Sequence, residues 1–495
     1  MIQRLDTPQQ AAQWLRQHVR GVLQTDSRKL APGDGFIAWS GATSDARKYV
    51  RSALDMGTGA CLVEHQGVEV FGFDDARVAS MDNLQAASAL VADAYCAHPS
   101  GDLDVLAVTG TNGKTSTAWW LAQALSSLPG DTAMRCGVIG TLGIGEPPCV
   151  EFNGLTTPDP VLLQRHLRQF VDQGFKVCAM EASSVGIAER RLDGTPVHVA
   201  VFTNFSQDHL DYHQTMATYW AAKAELFTWP GLRAAVVNVD DAKGAALSGT
   251  LEGGALDLWT LSCTVPARLR AQGIVYAEGG LRCTVVEAGE QHDLQTRLIG
   301  DYNVANLLGV IGAMRALGVP LADAVRACTH LQPVPGRMEQ IASPGLPLVA
   351  VDYAHTPDAL DKTLQALRPL AQARLGQLWC VFGCGGERDA TKRPLMAAVA
   401  EKGADRVVVT SDNPRSEKPE AIISQILLGL SRNQCVQVEA DRARAIAGTL
   451  TQAAANDVVL IAGKGHETYQ EVAGVKHPFS DADHARRALT LREMA

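Results

Sequence analysis

An apolar run from Leu103 to Val108 leads into Thr109-Gly110-Thr111-Asn112-Gly113-Lys114-Thr115, and a helical pattern, Ser116 to Leu125, follows at once. Strand, glycine loop, helix is the order in which backbone N–H groups at a helix N-terminus cradle nucleotide phosphates. Gly110 and Gly113 let the backbone approach the oxyanions, Lys114 can reach the terminal phosphates, and the Thr115 hydroxyl can coordinate Mg²⁺. The spacing departs from the common phosphate loop, because Val108 stands where its first glycine would be. Strand before and helix after carry the reading: this segment binds ATP or a close relative.

The rest of the chain supports an α/β fold around that loop. Apolar runs at Val105 to Thr109, Lys176 to Met180, Val197 to Phe202 and Ala234 to Val239 alternate with helical patterns. That alternation argues a mostly parallel sheet flanked by helices. The stretch from about 245 to 300 differs, with short strands such as Gly273 to Ala277 and Leu281 to Glu287 joined by glycine turns. Its periodicity is weak, and it is assigned to the middle unit. Boundaries are expected at His98-Pro99-Ser100-Gly101 and at Gln332-Pro333-Val334-Pro335-Gly336. Three domains result: 1–98, 99–333 and 334–495, the length prior for 495 residues being about three.

Composition removes several function classes. The net charge of −9 without a Lys/Arg cluster argues against nucleic acid as the main partner. No run approaches the ~18 apolar residues of a membrane span, and Met1 to Gln10 shows no apolar export signal. The eleven cysteines, several inside apolar runs (Cys61, Cys178, Cys328), read as buried thiols of a reducing compartment. Cys380 and Cys384 lack a second pair to complete a zinc site and read as structural. A cytoplasmic enzyme is expected.

In the last third one arrangement recurs four times. Leu348 to Val351 runs into Asp352-Tyr353-Ala354-His355-Thr356-Pro357, and Leu378 to Phe382 into Gly383-Cys384-Gly385-Gly386-Glu387-Arg388-Asp389. Arg406 to Thr410 precedes Ser411-Asp412-Asn413-Pro414-Arg415, and Val458 to Ile461 precedes Ala462-Gly463-Lys464-Gly465-His466-Glu467. Open α/β sheets bind ligands outside the carboxyl ends of their strands. Arg388 and Arg415 suit carboxylates and Glu467 an amine, which points to an amino-acid-like ligand with more than one carboxylate. In the middle unit, Glu181-Ala182-Ser183-Ser184 can face Mg²⁺ across from the phosphate loop. Asn204 to His213 is dense in metal-capable groups, the plainer alternative being that Asp208 and Asp211 simply cap the next helix. Lys223, alone in an apolar helical stretch, reads as a snorkelling surface residue.

Taken in order, Gly110 to Thr115, the Glu181 cluster, Asn204 to His213, Lys223, Asn303 to Asn306, Pro335-Gly336-Arg337 and Asp352 to Pro357 resemble the Mur ligases over nearly the whole chain. These are ATP-dependent amino-acid ligases of peptidoglycan synthesis. Asp26-Ser27-Arg28, Thr156-Thr157-Pro158 and the Gly385 to Asp389 loop resemble the branch that adds the third residue. Asp412-Asn413-Pro414-Arg415 resembles the members that add meso-diaminopimelate; lysine-adding members lack the arginine.

The resemblance implies a central phosphate-loop ATPase-like sheet, a C-terminal Rossmann-like sheet, and residue roles throughout. Gly110, Thr111, Asn112, Gly113, Lys114, Thr115, Asn303, Arg337 and Asp352 would contact ATP. Ser27, Thr156, Thr157, Ser183, Glu189 and Arg191 would hold a UDP-N-acetylmuramoyl-dipeptide. Arg388, Asp412, Asn413, Pro414, Arg415, Gly463 and Glu467 would form the diaminopimelate pocket. Thr115, Glu181, His209 and a carbamylated Lys223 would hold Mg²⁺, with Lys114, Lys223, His209 and Glu181 serving catalysis. The implied chemistry is an acyl phosphate made with ATP and then attacked by an amine, in a monomer. The chain departs from the family pattern at Val185, Glu189 and Ala46, where His, Gln and Gly are usual. Three alternatives stand beside this reading: a lysine-adding ligase, a folylpolyglutamate synthetase-like ligase, and an ATP-gated binding module without turnover.

Overall fold

The computed structural model describes residues 2–41, 44–277, 280–431 and 436–494. Three sheets follow one another along the chain. The first is five-stranded and parallel: β1 (Gln3–Leu5), β2 (Leu23–Gln24), β3 (Gly35–Ala38), β4 (Ala60–Glu64) and β5 (Val78–Met81), in the order β1-β5-β4-β3-β2. Its core gathers Leu15, Ile37, Leu62 and Ala79 on one face and Phe36, Cys61 and Val63 on the other.

The central sheet has eleven strands. They are β6 (Asp104–Thr109), β7 (Cys136–Gly140), β8 (Gly143–Glu146), β9 (Cys149–Glu151), β10 (Val177–Glu181), β11 (Val199–Phe202), β12 (Ala234–Asn238), β13 (Asp257–Ser262), β14 (Leu269–Ala277), β15 (Gly280–Glu287) and β16 (Glu290–Gln295). The order is β16-β15-β14-β13-β12-β11-β6-β10-β7-β8-β9. The middle is parallel, and antiparallel hairpins extend both edges. Residues Val105 to Val108 have no solvent exposure, as strands covered on both faces require. One face packs Leu106 and Val201 against Leu121 of helix Lys114–Ser126 and Leu307 and Ile311 of helix Tyr302–Ala316. The other packs Val105, Met180 and Phe202 against Leu167 and Phe170 of helix Pro160–Asp172. The chain leaves β6 for β7 and β10 on one side and then returns to β11 on the other, so the phosphate loop sits at a switch point.

The third sheet comprises β17 (Glu339–Ile341), β18 (Leu348–Asp352), β19 (Leu378–Phe382), β20 (Arg406–Val409), β21 (Val436–Val438) and β22 (Val458–Ala462), in the order β17-β18-β22-β19-β20-β21. Only β17 is antiparallel to its neighbour. A separate hairpin, β23 (Tyr469–Val472) and β24 (Val475–Pro478), follows. Helices Pro357–Ala373 and Lys392–Gly403 cover one face through Leu364, Leu367 and Met396, and Ile446 and Leu489 cover the other. Among the described residues no helix is long and apolar enough to cross a membrane.

Candidate active site

The carboxyl ends of the central and third sheets open onto one cavity of about 960 Å³. At its floor the phosphate loop is held by β11's exit. Asn204 accepts from Thr111 N through its backbone carbonyl (2.8 Å) and from Asn112 N through its side chain (2.9 Å), while Thr203 Oγ1 donates to Asn112 O (2.7 Å). Gly110 (φ 144°) and Gly113 (φ 87°) are obligatory here: a Cβ would lie 1.9 Å from Thr203 Oγ1 and 2.4 Å from Asn306 Oδ1. Lys114 Nζ curls back onto Gly110 O (2.9 Å) and Thr111 O (2.8 Å). Burial pulls its ammonium below the usual lysine range, with Glu181 and Asp208 opposing that shift.

Thr115 Oγ1 donates to Glu181 Oε2 (3.0 Å), and Thr141 N holds Oε1 (2.7 Å). A hydroxyl and a fixed carboxylate beside a phosphate cradle are the oxygen ligands Mg²⁺ accepts together with phosphate and water. Among the described residues no three His, Cys, Asp or Glu side chains form a metal cage, so most of the coordination would come from elsewhere. Arg337 Nη2 reaches Thr115 Oγ1 (3.2 Å) across the sheets, and its guanidinium lies over the Tyr353 ring (4.4 Å). Asn303 is buried, bonding Ile299 O and Asn306. Asp352 spends both carboxylate oxygens on backbone, Met338 N and Ala354 N (2.8 Å each), so it shapes the cleft as much as it faces it.

Lys223 overturns the expectation of a snorkelling surface residue. Its side chain is buried, Nζ donates to Gly110 O (2.7 Å) and sits 4.5 Å from the Tyr219 ring centre. Burial, then the nearby Lys114, pushes its amine well down toward the neutral form. The capping expectation for Asp208 and Asp211 also fails. His209 itself occupies the cap of helix Leu210–His213 with φ 53° and makes no side-chain cap bond, while Asp208 Oδ1 accepts from His209 N (2.9 Å), outside the helix. Asp208 instead faces His209 (3.5 Å). Burial alone would raise Asp208; His209, His355 and Lys392 outweigh it and hold the carboxyl at about 2.

Thr156 and Thr157 stand beside Glu181. Thr156 bonds Thr141, and Thr157 Oγ1 donates to Glu181 O (2.7 Å) and meets Ser183 Oγ (3.0 Å). Ser183 also caps the short helix Ser184–Ala188. Arg191 donates to Thr157 O (2.7 Å) and pairs with Glu189. Thr156, Thr157, Ser183 and Arg191 line the cavity; Ser27, in the first sheet's layer, does not, and nor does Glu189.

Opposite the phosphate loop, the third sheet contributes its four strand ends. Arg388, Asp412, Asn413, Arg415, Gly463 and Glu467 all line the cavity, and the Pro414 carbonyl packs against Gly386. Arg415 has φ 52°, exchanges backbone bonds with Glu471 and Ala473, and donates from Nη1 to Gly386 O (2.6 Å). Glu467 Oε2 accepts from Asn413 Nδ2 (2.8 Å) and from Lys464 Nζ (2.7 Å). Gly463 (φ 118°) has no room for a side chain, since a Cβ would lie 2.4 Å from Asp412 Oδ2.

Sequence reasoning missed three contributors. Lys464 is wholly buried and ties Asn413 to Glu467; its place between two glycines at a strand end was the available signal. Arg393 grips Glu417 and Gly385 O, joining the loops that carry Arg388 and Arg415. Asp358 accepts from Asn112 Nδ2 (2.8 Å), tying the third sheet's layer to the phosphate loop.

Two cleft histidines give a pH prediction. Burial, reinforced by Lys392, lowers His355 to about 4; burial, reinforced by Arg337, lowers His466 to about 3. Both are neutral when folded, whereas in the unfolded chain they protonate near 6.5, so the unfolded state binds more protons below that value. Their contribution is full above about pH 6.5 and is lost as pH falls toward the folded values. The urea midpoint of the ligand-free protein should therefore be lower at about pH 5 than at about pH 7.5. An H355Q/H466Q variant should narrow that gap, and an unchanged gap would contradict the assignment.

The comparisons with known proteins agree with this geometry. A family profile described as "Mur ligase middle domain" matches residues 108–314, and one described as "Mur ligase, glutamate ligase domain" matches 336–465. The chain is 60% identical over 491 residues to a UDP-N-acetylmuramoyl-L-alanyl-D-glutamate–2,6-diaminopimelate ligase of Acidovorax sp. (strain JS42), covering 99% of this chain and 98% of that one. A solved structure of a ligase with that same name superposes with TM-score 0.64 at 35% identity, covering 95% of each chain. The MurF ligase of Thermotoga maritima in complex with ADP shares the fold, with TM-score 0.68 at 19% identity over 96% of this chain and 98% of that one. Full-length identity of this order, with both family profiles falling on the sheets that form the cleft, shows that the chain belongs to the Mur ligase family.

Proposed function

We propose that this protein is the ATP-dependent ligase that joins meso-2,6-diaminopimelate to UDP-N-acetylmuramoyl-L-alanyl-D-glutamate. The reaction forms a carbon–nitrogen bond in cytoplasmic peptidoglycan precursor synthesis, on which cell wall growth, cell shape and division depend, and the protein works as a monomer. One observation carries the reading beyond the family. The phosphate loop and a pocket bearing Arg388, Arg415 and Glu467 face each other across a single cavity. Two guanidinium forks and one carboxylate match an amino acid with two carboxylates and a reacting amine better than they match lysine.

The chemistry follows from charge. A carboxylate repels amines and lacks a leaving group. Phosphoryl transfer from ATP to the D-glutamate side-chain carboxylate yields ADP and an acyl phosphate. The diaminopimelate amine attacks the acyl carbon, and the tetrahedral intermediate expels phosphate as the amine loses a proton. Lys114, with the loop's backbone N–H groups, holds the β- and γ-phosphates. Thr115 and Glu181 fit one Mg²⁺; His209 and Lys223 fit a second once the Lys223 amine has added CO₂, releasing a proton and becoming a carbamate anion. Bound Mg²⁺ supplies charge neutralisation to the transferring group. Asn303, Arg337 and Asp352 line the rest of the nucleotide site. Thr156, Thr157, Ser183 and Arg191, with Ser27 and Glu189 farther out, receive the UDP-substrate. Arg388, Asp412, Asn413, Pro414, Arg415, Gly463 and Glu467 receive diaminopimelate.

The test is phosphate release and product mass with ATP, Mg²⁺, the UDP-dipeptide and either meso-diaminopimelate or L-lysine. Release that requires the dipeptide and diaminopimelate together is the expected result. Turnover with lysine alone would remove the pocket assignment, and ATP loss independent of any acceptor would remove the ligase.

A further inference from the structure

Arg442 and Asp481 form an ion pair with no solvent exposure on either side chain. Nε and Nη2 of Arg442 engage the two oxygens of Asp481 at 2.7 Å each. The same guanidinium donates from Nη1 to Ser411 O (3.2 Å) and from Nη2 to Ala462 O (2.9 Å). Each carbonyl belongs to the residue just before an amino-acid-pocket loop: Ser411 precedes Asp412, and Ala462 precedes Gly463.

Stability alone does not account for this arrangement. Arg442 is the first residue of helix Arg442–Gln452, where the helix dipole opposes a cation. Burying two charges costs several kcal/mol per ion, and well-packed apolar replacements are often neutral or stabilising. What the pair supplies is geometry. β20 and β22, which carry the two loops, are not neighbours, because β19 lies between them. Gly383 follows β19 directly, and a Cβ there would come within 2.5 Å of Thr410 O and 2.9 Å of Asp412 N. The loops therefore converge over a glycine, and no strand hydrogen bond sets their separation. Arg442 spans the gap, bonding both carbonyls from one rigid fork that Asp481 anchors. At the spacing it spans, Asn413 Nδ2 meets Glu467 Oε2 at 2.8 Å and Lys464 reaches both side chains.

We infer that Arg442 and Asp481 are positioning residues that set the width of the amino-acid pocket and hence its affinity for the diaminopimelate substrate. This rests on the proposed ligase reading, which the wild-type assay checks separately: if wild type fails to use diaminopimelate, that reading falls, whatever the variants do. The variants are R442M/D481L, which keeps volume and removes the clamp, and R442K, which keeps the charge but cannot span Asp481 and both carbonyls. In each, the KM for diaminopimelate should rise about tenfold or more, since ångström-scale misplacement is costly. The KM values for ATP and the UDP-dipeptide should stay near wild type, and the preference for diaminopimelate over lysine should shrink. A wild-type KM for diaminopimelate in R442M/D481L overturns the inference. So does full rescue by R442K, or an equal rise in all three KM values, which would mark general loosening. If R442M/D481L does not fold, R442K alone decides by the same KM split.

Discussion

Replacing Lys223 by alanine is expected to lower kcat by about three orders of magnitude or more, because charge neutralisation at a transferring phosphoryl group contributes several kcal/mol. Lys223 does not line the cavity itself but is buried behind the phosphate loop, against Gly110 O and Tyr219. A permanent ammonium there would repel Mg²⁺ and stand beside Lys114, which already disfavours it. The same burial that drives the amine toward neutrality would make it a nucleophile for CO₂, and the proposed carbamate would reverse its charge. Two further results should accompany the loss. Short carboxylic acids added to K223A should restore part of the activity by placing a carboxylate in the vacated space. The KM for diaminopimelate should change little, since Lys223 lies behind the opposite wall. Wild-type-like activity of K223A would sink the role, and a loss that no carboxylate repairs would separate a structural lysine from a carbamylated one.

The second large effect concerns choice of amino acid. Arg415 is placed by its backbone, which exchanges bonds with Glu471 of β23 and with Ala473 just beyond it, and by Nη1 on Gly386 O. Its chain position is thus independent of ligand, which is what discrimination requires. A lysine substrate lacks the distal carboxylate and would leave this guanidinium with Gly386 O and Glu471 (3.8 Å) as its partners, without a ligand carboxylate. Charge-assisted hydrogen bonds contribute about 1.5–3 kcal/mol, so R415A should cut kcat/KM for diaminopimelate by about 10- to 100-fold. The same substitution should leave the low turnover with lysine unchanged or improved, because it removes the penalty for an unmatched cation. A competition assay with both amino acids, read by product mass, checks this. An unchanged product ratio would show that selectivity resides elsewhere, with Arg388 the next residue to examine.

The parts legible in the sequence were those whose signal is local. Parallel strands buried on both faces read as unbroken apolar runs, and each run that ends in glycine or charge marks a strand end facing the cleft. That is why the phosphate loop and the four loops of the third sheet were readable from residue order. β14 was harder to read: the register shifts between Gln272 and Val275 break its alternation, and half of it is exposed, so it read as shorter strands. Lys223 was placed by the family resemblance alone, because residue by residue a lone lysine on an apolar helix is ordinarily a snorkelling residue; the approach of Gly110, 113 positions away, is not written in local sequence. Asp358 and Asn112 meet across 246 positions, and Arg442 and Asp481 across 39, with no periodicity linking either pair. His209 was named through the family resemblance, but its left-handed backbone at the cap of helix Leu210–His213 had no signal in the sequence.

The central claim is that this cleft activates a carboxylate by phosphorylation before an amine arrives. Labelling both oxygens of the D-glutamate side-chain carboxylate with ¹⁸O and analysing the phosphate released during turnover with diaminopimelate tests it directly. One ¹⁸O atom in each released phosphate is the predicted result, because the acyl C–O bond breaks after the oxygen has bonded to phosphorus. Unlabelled phosphate alongside normal tripeptide formation would contradict the account, since the carboxylate would then have been activated without bonding to the phosphoryl group.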